Sequence, residues 1–368
     1  MIAIVYPQFY GVGGIARYLD SFLANLPANH APIYLITGDE HQVARNYPGV
    51  EIIHIPFSSN RFNLFIWGIK ARRCLIDLYQ QDKIKWVNFH FPPLIPGLFL
   101  PRNIPVLLTA HTTYLGMSGR FYPTQFFESQ WSKLSLMVKM WMERRIFALA
   151  TRVLVLTEQG RQEVVSYGFK RPIAVIPNGA DVKLFTPDAQ VKKDIDVLFC
   201  GRIESRKGSR AMVEVCRLLL AKDPGLRICI VGYGDDDVWV NSALSAYAGQ
   251  VELTGKVPFS DMILYYQRSK VYASTSFYEG LPGTCLEAMA MQLPVVVWDF
   301  LFYRDLVREG ETGMLVAPNV FSDMVDKIIA LVANPDKAFE MGTNGRQLLE
   351  NHYAWNKLSD QILQQFKS

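Results

Sequence analysis

The chain has 368 residues, about two and a half times the ~150-residue prior for one domain, which predicts two globular domains and excludes a small stapled or fibrous fold. Half of its residues are apolar and a fifth are charged, too hydrophobic for a disordered chain and greasier than an ordinary soluble enzyme. Its net charge of +4 is too small for a protein whose main task is coating nucleic acid, so no nucleic-acid partner is expected.

The five cysteines (Cys74, Cys200, Cys216, Cys229 and Cys285) form no close pair for a zinc knuckle or a redox dithiol, and read as reduced thiols of a cytosolic protein. Met1 runs directly into Ile2-Ala3-Ile4-Val5-Tyr6 with no basic region or cleavage site, so a first strand is expected there and not a signal peptide. Proline or charge breaks every apolar run before the ~20 residues that span a bilayer.

From the N-terminus, short β-branched runs alternate with helical patterns, the signature of parallel sheets wrapped by helices. Strands are predicted at 2–6, 32–36, 51–55, 85–89, 106–109, 153–156 and 173–176, with helices at 14–26, 63–80, 126–150 and 158–167. A polar stretch over 185–193, carrying Pro187 and no periodicity, reads as a linker. Strands then recur at 196–200, 227–231, 251–253, 271–274, 294–297 and 314–316. The expected fold class is α/β: two Rossmann-like doubly wound domains, 1–188 and 193–354, facing across a cleft with ligands at the carboxyl ends of their strands.

Three constellations carry chemistry. Gly11-Val12-Gly13-Gly14 follows the first strand and opens a helix, where glycines allow a backbone to approach an anion at a positive helix end. The spacing falls short of a dinucleotide fingerprint, and a plain tight turn explains it about as well. Gly201-Arg202 ends the first strand of the second half, with Lys207-Gly208 shortly after. Two cations there match the charge of a diphosphate, whereas Arg206 between them reads as a solvated loop residue. Third, Glu279 and Glu287 bracket Gly280-Leu281-Pro282-Gly283-Thr284-Cys285-Leu286, a loop entering a helix. The helix start suits phosphate, and Glu287 suits the hydroxyls of a ribose.

With these, Thr109-Ala110-His111, Ile176-Pro177-Asn178-Gly179-Ala180-Asp181, Gly232-Tyr233-Gly234, Leu253-Thr254-Gly255 and Ala288-Met289-Ala290 stand in an order that resembles the family 4 retaining glycosyltransferases of the GT-B fold. The resemblance covers nearly the whole chain, and implies that a final helix over 355–368, entered through Tyr353-Ala354-Trp355, crosses back onto the first domain. It implies transfer of a hexose-type sugar from a UDP- or GDP-linked donor to an acceptor hydroxyl, with retention and with no metal or other cofactor. By position, Arg202 and Lys207 would stabilise the leaving diphosphate, and Glu279 would contact the donor sugar. Glu287 would hold the ribose, Gly201, Gly283 and Thr284 would line the phosphates, and Gly13 and Gly14 would close over them. His111 would sit beside the reacting centre. Many relatives carry Asp after this histidine where this chain has Thr112. His90, ending a neighbouring strand, is expected with Thr112 on the acceptor side.

Two segments of the first domain mix aromatics with cations: one holds Trp67, Lys70, Arg72 and Arg73, the other runs from Arg120 through Lys139, Trp141, Arg144 and Arg145. Such faces bind anionic lipid surfaces, so peripheral contact on the inner face of the cytoplasmic membrane and a glycolipid or surface-polysaccharide acceptor are expected. Two other classes fit the same motifs: a non-catalytic sugar-nucleotide-binding subunit and a sugar-nucleotide epimerase.

Overall fold

The computed structural model describes residues 1–10, 13–38, 46–56, 61–92, 95, 99–119 and 133–367, with the side chains of 61, 62 and 133 excepted. Gly11, Val12 and the aromatic stretch from Arg120 to Ser132 therefore lie outside the described residues. Two compact units are present, divided at Gly179/Ala180, with residues from Trp355 onward returning to the first.

The first unit runs β1 (Ile2–Val5), α1 (Gly14–Ala24), β2 (Ile33–Thr37), β3 (Val50–His54), α2 (Arg61–Gln80), β4 (Trp86–Phe91), β5 (Val106–Ala110), α3 (Tyr114–Met117), α4 (Lys133–Leu149), β6 (Arg152–Val155), α5 (Glu158–Ser166) and β7 (Ile173–Val175). Its sheet has the order β3-β2-β1-β4-β5-β6-β7, and every pair is parallel. β1 and β5 are buried at every position, which is why their sequences are apolar without alternation. α2 lays Trp67, Ala71, Leu75 and Leu78 at helical spacing against Ala3, Val5, Ile36 and Val87. Each fully buried side chain of this size contributes about 1.5–3 kcal/mol.

The second unit runs β8 (Ile195–Cys200), α6 (Ser209–Lys222), β9 (Ile228–Val231), α7 (Asp237–Leu244), β10 (Val251–Gly255), α8 (Phe259–Gln267), β11 (Ser269–Ser274), α9 (Gly283–Ala290), β12 (Val295–Trp298), α10 (Leu301–Arg304), β13 (Gly313–Val316), α11 (Phe321–Ala333) and α12 (Pro335–His352). Its parallel sheet has the order β10-β9-β8-β11-β12-β13. Chain direction across the sheet reverses between β8 and β11, and the crevice outside such a switch point is where doubly wound sheets hold ligands.

The stretch read as a linker is packed into the second unit. Phe185 is buried, with its ring edge-on to Phe259 and Tyr266 of α8. From α12, Arg346 donates to the carbonyls of Phe185 and Val182, both at 2.9 Å. One aromatic anchor and one guanidinium thus hold this stretch against the second unit. A last helix, α13 (Trp355–Gln364), buries Trp355, Leu358 and Ile362 in the first unit, and the Ser359 hydroxyl reaches the Phe22 carbonyl at 3.4 Å. Gly179 has no room for a side chain, because a Cβ would lie 2.7 Å from the Trp355 ring.

Candidate active site

In the second unit, the loop after β8 is built around contacts that only glycine permits. Gly208 has φ +74°, and a Cβ there would fall 2.0 Å from the Thr275 carbonyl oxygen. Gly232, at the end of β9, has φ +152°, and its Cβ would fall 1.7 Å from the Gly201 carbonyl oxygen. The loops after β8, β9 and β11 therefore touch through bare backbone. Two consecutive hydroxyl residues tie the end of β11 in place. Ser274 accepts from the Tyr303 hydroxyl at 2.7 Å, Thr275 donates to the Gly208 carbonyl at 3.0 Å, and the Thr275 carbonyl accepts from the Trp298 indole at 3.0 Å. The open recess above these strand ends is lined by residues including Gly201, Arg202, Lys207, Ser274, Thr275 and Ser276.

At this place Glu279 is 8% exposed and ion-paired with Lys207, with Arg206 at 3.8 Å. Arg206 also donates to Glu204 at 2.7 Å and to the Tyr278 carbonyl at 3.0 Å. Arg206, read from the sequence as a solvated loop residue, is instead the central cation of this network. Arg202 is 61% exposed on its side chain and pairs with Glu204 at 3.1 Å. Burial opposes the charge on Glu279, but Lys207 and Arg206 outweigh it and hold the carboxyl below the usual range. Burial likewise lowers the Lys207 ammonium, partly offset by Glu279.

After this loop, Pro282 precedes α9, which begins at Gly283. Thr284 shares a 2.8 Å hydrogen bond with the Tyr272 hydroxyl. Glu287 is buried one turn into the helix and accepts from the Tyr266 hydroxyl at 2.8 Å. Neither tyrosine stood out in the sequence, because both sit in apolar runs and read as core.

In the first unit, Gly13 and Gly14 stand at the start of α1, with no atom of the described residues within 4 Å of a Cβ on either. His111 follows β5, and His90 lies on β4 beside Thr109. The sheet brings the histidines together: His90 Nδ1 is 3.0 Å from His111 Nε2, and His90 Nε2 is 2.8 Å from Asn88 Oδ1. Tyr18 of α1 stands edge-on to the His111 ring at 4.8 Å. Burial lowers His111 to about 3 and His90 well below its ordinary value, so both are neutral imidazoles. Thr112 is half-buried beside them.

Behind this loop lies a buried carboxyl cluster that sequence reasoning missed. Glu143 of α4 accepts the N–H groups of Tyr114 at 2.9 Å and Leu115 at 3.4 Å, together with the Tyr167 hydroxyl. Glu163 accepts from the Thr113 hydroxyl at 2.7 Å. Burial pushes Glu143 up to about 8, against the pull of these hydrogen bonds. Beside His90, a mainly apolar cavity open to solvent is lined by residues including Phe91, Ile95, Phe99, Leu100, Ile146 and Leu149.

Of the residues expected at a membrane, Trp67 does not qualify. It is 1% exposed, packed in the core, and its indole donates to the Ile55 carbonyl at 2.9 Å. Among the described side chains of α2, the exposed large apolar ones are Phe65, Ile66 and Ile69, with Arg72 and Arg73 further along. On α4, Trp141 is 59% exposed and continues a stripe of Leu134, Met137 and Val138. Arg144 and Arg145 are exposed, Arg145 lies 5.1 Å from the Trp141 ring centre, and the half-buried Lys139 reaches over Tyr114.

Comparison with known proteins agrees with this arrangement. A D-inositol 3-phosphate glycosyltransferase of Nocardia farcinica is 30% identical over 220 residues, which cover 54% of this chain and 49% of that protein. The chain thus matches about half the length of that relative. Sucrose-phosphate synthase from Thermosynechococcus elongatus superposes with a TM-score of 0.80 at 20% identity, over 100% of this chain and 98% of its own. Anabaena HepE, solved in complex with UDP-glucose, gives a TM-score of 0.71 at 15% identity, over 99% and 98%. The model for Glycosyltransferase Family 4 matches residues 12–184 and that for Glycosyl transferases group 1 matches residues 183–348. With both models in register along one chain and a switch-point sheet in each unit, the protein belongs to the group 1, family 4 glycosyltransferases of the GT-B fold.

Proposed function

We propose that the protein transfers a hexose-type sugar from a nucleoside diphosphate sugar to an acceptor hydroxyl, with retention at the anomeric carbon. The observation that carries this reading is the buried network of Lys207, Arg206 and Glu279 at the switch point of the second sheet. It keeps cations ready for a diphosphate and a carboxylate ready for sugar hydroxyls.

In this reading the bond from the anomeric carbon to the diphosphate oxygen breaks and a bond to the acceptor oxygen forms on the same face. The acceptor proton passes to a phosphate oxygen of the leaving group. Arg202 and Lys207 neutralise the charge that develops on that group, a preorganised stabilisation for which loss of a single donor costs about 10²–10³ in rate. These side chains do the work of a divalent cation, and none is required. Lys207 exchanges Glu279 for phosphate, which frees Glu279 to accept from the sugar. Gly201, Gly283 and Thr284 approach the phosphates, and Glu287, steadied by Tyr266, accepts from the ribose. A uridine-linked donor is the first to test, since the relative HepE was solved with UDP-glucose.

The acceptor we infer is a lipid-linked or surface-polysaccharide glycan handled by the first unit, with peripheral contact on the inner face of the cytoplasmic membrane. The exposed stripe on α4 with its neighbouring arginines, and the apolar cavity beside His90, support it. Nucleotide release measured over UDP-, GDP- and ADP-sugars, with and without acceptor, in wild type and Lys207→Ala, tests the transfer reading. Unchanged turnover in the variant removes the diphosphate role of Lys207.

A further inference from the structure

We propose that Asn88 and His90 are positioning residues that lock His111 into a single neutral tautomer, with its proton on Nε2 and its lone pair on Nδ1. His111 then offers a substrate hydroxyl a hydrogen-bond acceptor, and never a cation.

The argument starts from an amide whose orientation is fixed. Asn88 Nδ2 lies 3.1 Å from the Leu107 carbonyl oxygen, which can only accept, so this end of the amide is the NH₂ group. The same nitrogen donates to the Thr109 hydroxyl at 2.9 Å. The amide oxygen therefore faces His90 Nε2 at 2.8 Å, and it too can only accept. His90 must carry its proton on Nε2. A neutral imidazole has one proton, so His90 Nδ1 is a bare acceptor, and His111 Nε2 at 3.0 Å must supply the hydrogen. That leaves Nδ1 of His111 with its lone pair. Reversing the chain would turn Asn88 Oδ1 toward the Leu107 carbonyl and set two oxygens against each other.

A cationic His90 is opposed by this arrangement: its new Nδ1–H would face the Nε2–H of His111, which could answer only by moving its own proton to Nδ1. Among the described residues, the rings packed on the pair bring no charge: Tyr18 from α1 lies against both imidazoles and also meets Trp355 of α13 edge-on. The low pKa values of both histidines agree with this surrounding. The pair is set by sheet register, since β4 and β5 align His90 with Thr109, one position before the end of β5 at Ala110.

The consequence for turnover rests on the proposed role of His111 at the substrate, whereas the tautomer is read without turnover. Two-bond ¹H–¹⁵N correlation spectra of ¹⁵N-histidine-labelled protein decide it. The expected pattern for both His90 and His111 is a protonated Nε2 and a bare Nδ1. A protonated Nδ1 on His111 overturns the proposal. The isosteric Asn88→Asp variant sets an oxygen against the Leu107 carbonyl, and its carboxylate stabilises a cationic His90, whose Nδ1–H then faces His111. His111 must move its proton to Nδ1 as pH falls, and turnover must fall with it, at least tenfold, over a range where the wild type is flat. Spectra of Asn88→Asp that titrate His90 without inverting His111 overturn the lock, and inversion with unchanged turnover overturns the acceptor role. A wild type with the expected spectra but no transfer from any donor counts against the transfer reading alone.

Discussion

Lys207 holds the buried carboxylate of Glu279, 72 positions further along the chain, where the loops after β8 and β11 meet. Truncating Lys207 to Ala leaves Glu279 with one cation, Arg206 at 3.8 Å, beside its hydrogen bond from Ser276. Removing one partner of a buried pair costs about 3–5 kcal/mol, toward the low end here because Lys207 keeps some solvent contact. Urea unfolding should show a loss near 3 kcal/mol, and steady-state assays a fall in turnover of about 10²-fold or more. Glu279→Gln should cost at least as much stability and also lower turnover, since the amide retains a hydrogen bond but leaves Lys207 and Arg206 without the carboxylate they share.

The two buried carboxyl sites respond to pH with opposite sign. Glu279 has a folded pKa below its unfolded value of about 4.3, so its contribution is present above that value and is lost as pH falls through the folded one. Glu143 has a folded pKa of about 8, above the unfolded value. Between about 4.3 and 8 the folded state therefore binds the extra proton, and the contribution fades as pH rises. Wild type should lose on the order of 2 kcal/mol between pH 6 and pH 8 that Glu143→Gln does not lose. Denaturant titrations of both proteins at the two pH values measure the difference, and parallel curves would refute the assignment.

Much of this architecture could be read from the chain because consecutive apolar residues mark strands covered on both faces. The runs at Ile2–Val5 and Val106–Ala110 are strands of that kind. What the sequence concealed depends on partners distant along the chain. Arg206 reads as a loop cation until Glu279 and the Tyr278 carbonyl close on it. Glu143 stands among cations on a helical pattern, and only the fold turns it toward the backbone of α3. His90 and His111 are separated by 21 positions and meet through strand register. Trp67, flanked by cations in sequence, faces the sheet because helical spacing aligns it with Ala71 and Leu75. Aromatics beside cations look alike whether they anchor a core or a surface.

Glycine at 208 is required by conformation and by space together. Alanine there would hold a left-handed backbone, costing about 1–2 kcal/mol, and would press its Cβ against the Thr275 carbonyl. Gly208→Ala should therefore lower Tm by several degrees and displace Lys207, with a matching fall in nucleotide affinity. Gly14→Ala is the contrasting case. It places a Cβ in open space at the first turn of α1 and gains up to about 1 kcal/mol of helix propensity, so Tm should hold or rise. Thermal unfolding of both variants, with and without UDP, separates the two effects.

The exposed face of α4 predicts where an anionic bilayer would be felt. Leu134, Met137, Val138 and Trp141 recur at helical spacing on the solvent side, and Arg144 and Arg145 extend that side by one turn. Cations near an anionic surface contribute about 1 kcal/mol each, so reversing both arginines to Glu replaces two attractions with two repulsions. Sedimentation with phosphatidylserine-containing vesicles should fall by at least tenfold in Arg144→Glu/Arg145→Glu, and less steeply in Trp141→Ala. Raising the salt should weaken the wild type toward the double variant, because surface charges are screened over about 10 Å at 0.1 M. Arg73→Glu on α2 asks whether the second segment shares the surface. Equal sedimentation of wild type and the α4 double variant would leave that apolar stripe without a lipid role.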